Sequence, residues 1–198
     1  MAKQKLNFKK IDKISNTDIL NDKSPKIREL SINVTFPLKK EDKKLMLQMI
    51  EVVRISQDDP VTAESRNIQY SNGISAIQLG HNKKMIYVRI PGEFGADIEE
   101  FALVNPRIEW NSNESSYLES GETSLSTPDK VGGVVVRSEK IRLIGHDFFT
   151  EREVEVEALG ATSIAIQQQM DHLLGILYFD RINGTNPFHI QQNLVKIK

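Results

Sequence analysis

The stretch IQQQMDHLLGILYFDR, residues 166–181, combines three consecutive glutamines with an Asp-His pair and an apolar run. On a helix, residues four apart share a face, so Gln168 and His172 are expected to point the same way. This spacing matches the H-E-x-x-H pattern, in which two histidines hold a metal and a glutamate moves protons. Here the first His and the Glu of that pattern are Gln168 and Gln169. In isolation, a solvated helical face explains the glutamines equally well.

The composition is that of an ordinary globular protein. The chain has 198 residues, a formal net charge of -1 and no cysteine. It is long enough for one domain with a hydrophobic core. Its net charge gives no signal for binding to nucleic acid or anionic lipid. Because the chain has no cysteine, disulfides and thiolate metal sites are excluded. The lysine-rich residues 1–13 lack the apolar segment of a secretory signal, and no apolar run reaches the ~18 residues of a membrane span. We therefore expect a cytoplasmic protein, with a targeting arm at residues 1–13 as the less favoured alternative.

The apolar pattern predicts a helix early in the chain and another late. Residues 39–57 place Leu45, Met46, Met49, Ile50 and Val53 at helical spacing, and Pro60 is expected to end that helix. A second helix is expected to open at residues 160–163 with Thr162 or Ser163 as its N-cap.

Short β-prone runs occupy the middle of the chain, separated by turn residues, and indicate antiparallel sheets in an α+β fold. These runs are residues 84–90, 101–108, 133–136, 141–144 and 154–158. We predict a single domain over residues 1–198. Residues 1–40 would form an extended N-terminal wrap, and residues 183–198 a C-terminal tail with a final strand at 194–197.

Two further stretches give the glutamines a context. Residues 72–80 read NGISAIQLG and residues 121–128 read GETSLSTP. Together with residues 167–175 they resemble, in order and spacing, the three motifs of peptide deformylases, G-x-G-L-A-A-x-Q, E-G-C-L-S and Q-H-E-x-D-H-L-x-G. The resemblance covers most of the chain and is strongest to the longer, Gram-positive and mycoplasma-like branch. It implies antiparallel sheets around a central helix that carries the third motif.

The resemblance also implies a metal-dependent hydrolysis, and this chain has other residues at several of the positions that carry it. The family removes the formyl group from the initiator methionine of new polypeptides, using a divalent metal held by one Cys and two His. Of the ligand positions, Ser124 and Gln168 replace the Cys and one His, and His172 is retained. Gln169 replaces the proton-shuttling Glu, and Thr123 replaces a motif glycine. The remaining positions carried over are the oxyanion donors Gln78 and the N–H of Leu125, and the substrate-binding residues Gly73, Ile74 and Leu125.

These departures lead to three hypotheses. The first is a deformylase-like protein without metal-dependent activity and without a bound cofactor, which binds nascent peptide N-termini or the ribosome. The second is a working deformylase in which Ser124, Gln168 and His172 hold iron, nickel or zinc weakly, or in which a ligand comes from elsewhere (His81, His146 or His189). The third is a purely structural role with the groove filled. Ser71, Ser75 and Thr123 also depart from the motif letters, which favours natural divergence over deliberate inactivation. We expect a monomer with no membrane or nucleic-acid partner.

Overall fold

The first long helix, α1, spans Lys40–Asp58 in the computed structural model, which describes residue 8 and residues 11–92, 97–190 and 192–197. Its apolar positions are buried in the main hydrophobic core, and the Asp42 carboxylate accepts a hydrogen bond from the Lys39 N–H at 3.2 Å. The predicted helix is thus confirmed to within one residue at each end. A short helix that the sequence interpretation missed, α2 (Pro60–Ser65), follows at once. Its Pro60 occupies the first turn, where a missing N–H costs nothing, and Asp59 caps it.

A five-stranded antiparallel sheet forms the body of the fold. Its strands are β1 (Gly73–Ser75), β2 (Met85–Ile90), β3 (Glu99–Asn111), β6 (Lys140–Asp147) and β7 (Arg152–Leu159). They lie in the order β1-β2-β3-β6-β7, and Gly73 of β1 lies opposite Val88 of β2. The α+β class and its antiparallel main sheet agree with the prediction.

A smaller three-stranded sheet accompanies the main sheet, and the strand predicted at residues 133–136 is not part of it. It consists of β4 (Ser115–Leu118), β5 (Arg137–Ser138) and β8 (Val195–Ile197), and β8 runs parallel to β4. The strand expected at residues 133–136 is wrong, because the Val134 N–H bonds to the carbonyl of Pro187 in the C-terminal segment instead of to a strand. The segment forms an irregular loop that packs closely on Ile182. A Cβ at Gly133 would come within 2.5 Å of that side chain.

The central helix, α3, spans Gly160–Leu173 and follows β7 directly. The predicted N-cap is wrong: Leu159 is the N-cap, and Thr162 and Ser163 lie inside the first turns. Gly160 adopts φ 56°, which lets the chain turn from strand to helix without a polar cap. The Ser163 hydroxyl instead donates to the Ser138 carbonyl at 2.8 Å. The helix contacts both β1 and β2, so its polar residues are brought into the interior.

The segment before α1 fastens the three motif stretches to one another. The N–H groups of Leu20, Asp22 and Ser31 donate to the carbonyls of Gln78, Ser126 and Leu173 at 2.7, 2.8 and 2.8 Å. Short 3-10 turns occur at Asn16–Asp18 and Pro25–Arg28. Of the wrap predicted over residues 1–40, residues 1–7 and 9–10 lie outside the described residues. Within the described ranges, no helix is both long enough and apolar enough to cross a membrane.

Candidate functional site

Three segments that are distant in the sequence converge at one buried polar centre. They are the 3-10 turn Ala76–Leu79 after β1, the loop 121–127 that follows β4, and the second half of α3. Gln78 contributes from the first, Ser124 from the second and His172 from the third, and their side chains are joined by hydrogen bonds. The structure therefore brings together the residues that the sequence motifs single out.

Gln78 is held rigidly with its amide nitrogen facing the loop. Its Oε1 accepts from the Ser75 N–H at 2.9 Å. Its Nε2 donates to Ser126 Oγ at 3.1 Å and lies 3.4 Å from Ser124 Oγ. Only 1% of the residue is exposed, so the amide presents a fixed donor at the centre of the site.

Ser124 and His172 form a neutral pair. Ser124 Oγ accepts from the Ser126 N–H at 3.2 Å and lies 3.2 Å from His172 Nε2. Since that oxygen also faces Gln78 Nε2, the hydroxyl proton is assigned to His172 Nε2 and the imidazole proton to Nδ1, which has no hydrogen-bond partner within the described residues. Burial, reinforced by the positive charges of Arg137 and Arg28, lowers the pKa of His172 to about 4 against the opposing effect of Asp171. The imidazole is therefore uncharged at neutral pH.

Gln168 and Gln169 are linked by a chain of side-chain hydrogen bonds that begins at the carboxylate of Glu122. Gln168 Nε2 donates to Glu122 Oε2 at 2.9 Å and to the Thr123 carbonyl at 3.1 Å. Gln169 Nε2 donates to Gln168 Oε1 at 3.1 Å. Gln168 and Gln169 are 9% and 1% exposed, so the alternative of a solvated helical face is wrong for them. Gln167 is half-buried and bonds to Ser138 through both its Oε1 and its Nε2.

A buried network of charged side chains is joined to these hydrogen-bonded glutamines through Glu122. Arg137 donates from Nε and NH2 to the two oxygens of Glu122 at 2.8 and 2.9 Å. It also pairs with Asp171, which in turn is held by Arg181. Two carboxylates thus meet two guanidinium groups, and the charges balance. Sequence reasoning missed Arg137 altogether, because its partners lie 15 and 34 residues away and no motif letter marks it.

A cavity of about 410 Å³ opens beside this centre. Its wall includes Tyr70, Gly73, Thr123, Gln168 and Gln169. A Cβ on Gly73 would come within 2.9 Å of the Tyr87 carbonyl and 3.1 Å of Gln169 Cγ, so glycine is needed where β1 approaches α3.

Two predicted substrate-binding residues are placed differently from Gly73. The side chains of Ile74 and Leu125 are buried in the main hydrophobic core, and neither lines the cavity. Their predicted roles, including that of the Leu125 N–H as an oxyanion donor, therefore concern the backbone and stay predictions.

The other histidines are not gathered with His172. His146 contacts Phe36 in a tilted arrangement, with ring centroids 4.4 Å apart and an interplanar angle of 52°, while His81 and His189 are exposed. Over the described residues, no group of three or more His, Cys, Asp or Glu side chains is arranged to hold a metal ion. The idea that one of these histidines supplies a replacement ligand thus finds no support in the geometry.

Comparisons with known proteins cover nearly the whole chain. A family profile described as polypeptide deformylase matches residues 16–187. The peptide deformylase of Oceanobacillus iheyensis is 35% identical over 180 residues, which is 91% of this chain and 97% of the relative. The peptide deformylase of Malacoplasma penetrans is 33% identical over 190 residues, or 96% of this chain and 100% of the relative. These relatives agree with the predicted Gram-positive and mycoplasma-like resemblance.

Solved structures of peptide deformylases resemble this chain in fold. A probable peptide deformylase from Synechococcus phage S-SSM7 has a TM-score of 0.66 at 29% identity, covering 83% of this chain and 98% of the other. The Acinetobacter baumannii peptide deformylase bound to Met-Ala-Ser has a TM-score of 0.65 at 25% identity, covering 83% of this chain and 96% of the other.

Proposed function

The chain belongs to the polypeptide deformylase family, and on that premise we propose that it binds peptide N-termini without metal-dependent deformylation. The observation that carries the proposal is the hydrogen bonding among the residues at the metal and proton-shuttle positions. Ser124 bonds to His172, and Gln168 bonds to Glu122, Thr123 and Gln169. These bonds hold the side chains together without an ion, although Gln169 Oε1 and His172 Nδ1 have no hydrogen-bond partner within the described residues.

The donor set does not fit the divalent metal that the family uses. Iron, nickel and zinc favour thiolate and imidazole, and a catalytic zinc site takes three such protein ligands. Here the three positions hold a neutral hydroxyl, an amide and one imidazole. The amide of Gln168 already uses its nitrogen and its oxygen in hydrogen bonds within the protein. We therefore propose that the chain carries no resident metal.

Gln169 removes a second requirement of the reaction. An amide does not ionise, so it cannot take a proton from an attacking water and pass it to the leaving amine. General acid–base catalysis is worth about 10²–10⁴-fold in rate, so this substitution alone predicts severe impairment. What remains is the cavity of about 410 Å³, whose wall includes Gly73 and Thr123, and it supports the proposal that the chain holds a peptide.

The ligands we propose are the N-termini of nascent peptides in the cytoplasm, with the ribosome as the accompanying partner. The open cavity supports peptide binding over a purely structural role, for which a filled groove would be expected. Isothermal titration calorimetry with methionyl tripeptides tests the binding. A chain that binds none of them would contradict the proposal.

A second candidate is a working peptide deformylase with an altered site. The similarity to proteins named peptide deformylase, at 33–35% identity over more than 90% of this chain, favours it. A turnover assay discriminates the two. Purified protein is supplied anaerobically with iron or nickel and a formyl-methionyl peptide, and bound metal is measured in parallel. Turnover comparable to that of an authentic deformylase would overturn the first proposal, whereas no turnover and no stoichiometric metal would support it.

A further inference from the structure

Two Asn-Gly sequences lie in very different surroundings in this chain. Asn72-Gly73 belongs to the first motif stretch, and Asn183-Gly184 follows the 3-10 turn Tyr178–Arg181. An asparagine that precedes glycine is prone to deamidation, because glycine has no side chain to keep its backbone nitrogen away from the asparagine side chain. In a folded protein the reaction also requires freedom of the backbone, and the two sites differ in this respect.

The Asn183-Gly184 pair is open to solvent. Both residues are exposed, and a Cβ added to Gly184 would meet no atom within 4 Å. Residues 182–190 form bends and turns outside any helix or strand. Rotation of the backbone between Asn183 and Gly184 therefore breaks no regular secondary structure, and the Gly184 nitrogen is free to approach the side chain.

The side-chain carbonyl of Asn183 faces two hydrogen-bond donors. Its Oδ1 accepts from the N–H groups of Thr185 and Asn186 at 2.9 and 3.0 Å. When a nucleophile adds to Cγ of Asn183, negative charge develops on this oxygen. Backbone N–H groups that already point at such an oxygen lower the barrier to the addition. The loop thus combines an accessible nucleophile with stabilisation of the developing charge.

The Asn72-Gly73 pair is held in the sheet instead. Gly73 is buried at the start of β1, and its N–H donates to Ser71 Oγ at 3.2 Å. The Asn72 carbonyl accepts from the Arg89 N–H at 2.9 Å. A Cβ on Gly73 would lie 2.9 Å from the Tyr87 carbonyl oxygen, which leaves no room for the ring that the reaction forms. Attack at Asn72 therefore requires local opening of β1.

We infer that Asn183 is a site of spontaneous deamidation in the folded protein, whereas Asn72 is protected. The Gly184 nitrogen loses its proton to solvent base and forms a bond to Cγ of Asn183. The carbon–nitrogen bond of the side-chain amide then breaks, and its nitrogen takes up a proton from water and leaves as ammonia. Water opens the resulting succinimide at either carbonyl, which gives aspartate or isoaspartate and one additional negative charge. The inference is independent of the proposed function, since the peptide cavity takes no part in it.

Incubation of the purified protein at physiological temperature and slightly alkaline pH tests the inference. Trypsin cleaves after Arg181 and Lys196 and after Arg66 and Lys83, so the two Asn-Gly sequences fall on separate peptides. Mass spectrometry detects deamidation as a gain of one mass unit, and fragment spectra assign it to a residue. A digest of freshly purified protein corrects for deamidation during sample preparation.

The same incubation in urea supplies the reference rates of the unfolded chain. There Asn72 and Asn183 should react at similar rates, because neither keeps its contacts. In the folded protein we expect Asn72 to react at least about tenfold more slowly than in urea, since β1 must first open. Asn183 should react at least as fast in the folded protein as in urea, because only the folded loop holds the two donors on its Oδ1.

Two variants make the test specific. Gly184→Ala should slow the reaction at Asn183 severalfold, because its Cβ shields the attacking nitrogen, and it should leave the fold intact, since nothing lies within 4 Å of that Cβ. Asn183→Gln should abolish deamidation at residue 183, because the longer side chain must close a larger ring. An isoaspartyl methyltransferase with a labelled methyl donor should label incubated wild-type protein and not incubated Asn183→Gln.

Three outcomes would overturn the inference. The first is slower reaction of Asn183 in the folded protein than in urea. The second is equal modification of Asn72 and Asn183 in the folded protein. The third is equal methyl labelling of wild type and Asn183→Gln, since isoaspartate would then form elsewhere in the chain.

Discussion

The hydroxyl oxygen of Ser124 lies 3.2 Å from Nε2 of His172, where the loop after β4 meets the last turn of α3. In the family, both positions supply ligands to one metal. In this chain they form a hydrogen bond between neutral groups, and the imidazole is completely buried. The contact links stability to pH, because a buried neutral histidine resists protonation in the folded state.

Acidification should destabilise the metal-free protein through His172. Its pKa is about 4 when folded, below its ordinary value of 6.5, so between these values the unfolded chain binds a proton that the folded chain does not. The stabilisation is present above about pH 6.5, is lost as the pH falls towards 4, and amounts to about 3 kcal/mol. Urea denaturation of wild type and His172→Gln, at neutral pH and near pH 4, measures this. The variant should lose less stability than wild type, and equal losses would show that His172 contributes nothing.

Removing Arg137 should be strongly destabilising. Arg137→Met leaves the carboxylate of Glu122 buried without its guanidinium partner and deprives Asp171 of one of its two. Breaking a buried pair from one side typically costs about 3–5 kcal/mol. The matched control is Lys43→Met, which removes a surface ion pair with Glu151 and should leave the denaturation midpoint nearly unchanged. Similar midpoints for the two variants would contradict the role given to the buried network.

Gly175 should tolerate no side chain. It ends α3 at φ 71°, and a Cβ there would come within 2.2 Å of the Arg28 carbonyl oxygen. Because the contact is with backbone, relief requires the segment before α1 to move away from α3. Gly175→Ala should therefore cost more than about 2 kcal/mol. Gly184→Ala is the control, since nothing lies within 4 Å of its Cβ. Thermal unfolding compares the two, and equal melting temperatures would refute the steric argument.

Restoring the family's letters should create a metal site. The variant with Ser124→Cys, Gln168→His and Gln169→Glu would place a thiolate and two imidazoles around one point, together with a general base. Glu122 is already 2.9 Å from the nitrogen of Gln168 and is placed to orient an imidazole there, as carboxylates do behind metal-bound histidines. We expect one nickel or zinc ion per chain and measurable deformylation.

The control variant carries Ser124→Ala together with the same Gln168→His and Gln169→Glu changes. It lacks the thiolate and should bind metal much more weakly. Plasma emission spectrometry of dialysed protein measures the metal content of both variants. An absence of stoichiometric metal in the first variant would mean that divergence has altered the scaffold beyond the three positions.

Local patterns sufficed for much of the fold. The helical spacing of Leu45, Met49 and Val53 located α1, since an amphipathic stripe must face a core whatever its partner is. The β-prone runs that follow α1 located β2, β3, β6 and β7 in the same way. The segment at 133–136 has the same β-prone composition, but no strand within the described residues pairs with it. Pairing depends on partners that a local pattern does not contain.

The sequence by itself determined the chemistry available at the site. A glutamine cannot ionise and a serine hydroxyl is a poor ligand wherever they sit, so Ser124, Gln168 and Gln169 were informative before any geometry was known. Only the tertiary structure decided how these groups are paired. Arg137 reaches Glu122 and Asp171 from a separate strand, and Glu122 turns Gln168 and thereby Gln169. Hydrogen-bond direction depends on which donors and acceptors lie within about 3 Å, and that proximity is created by folding.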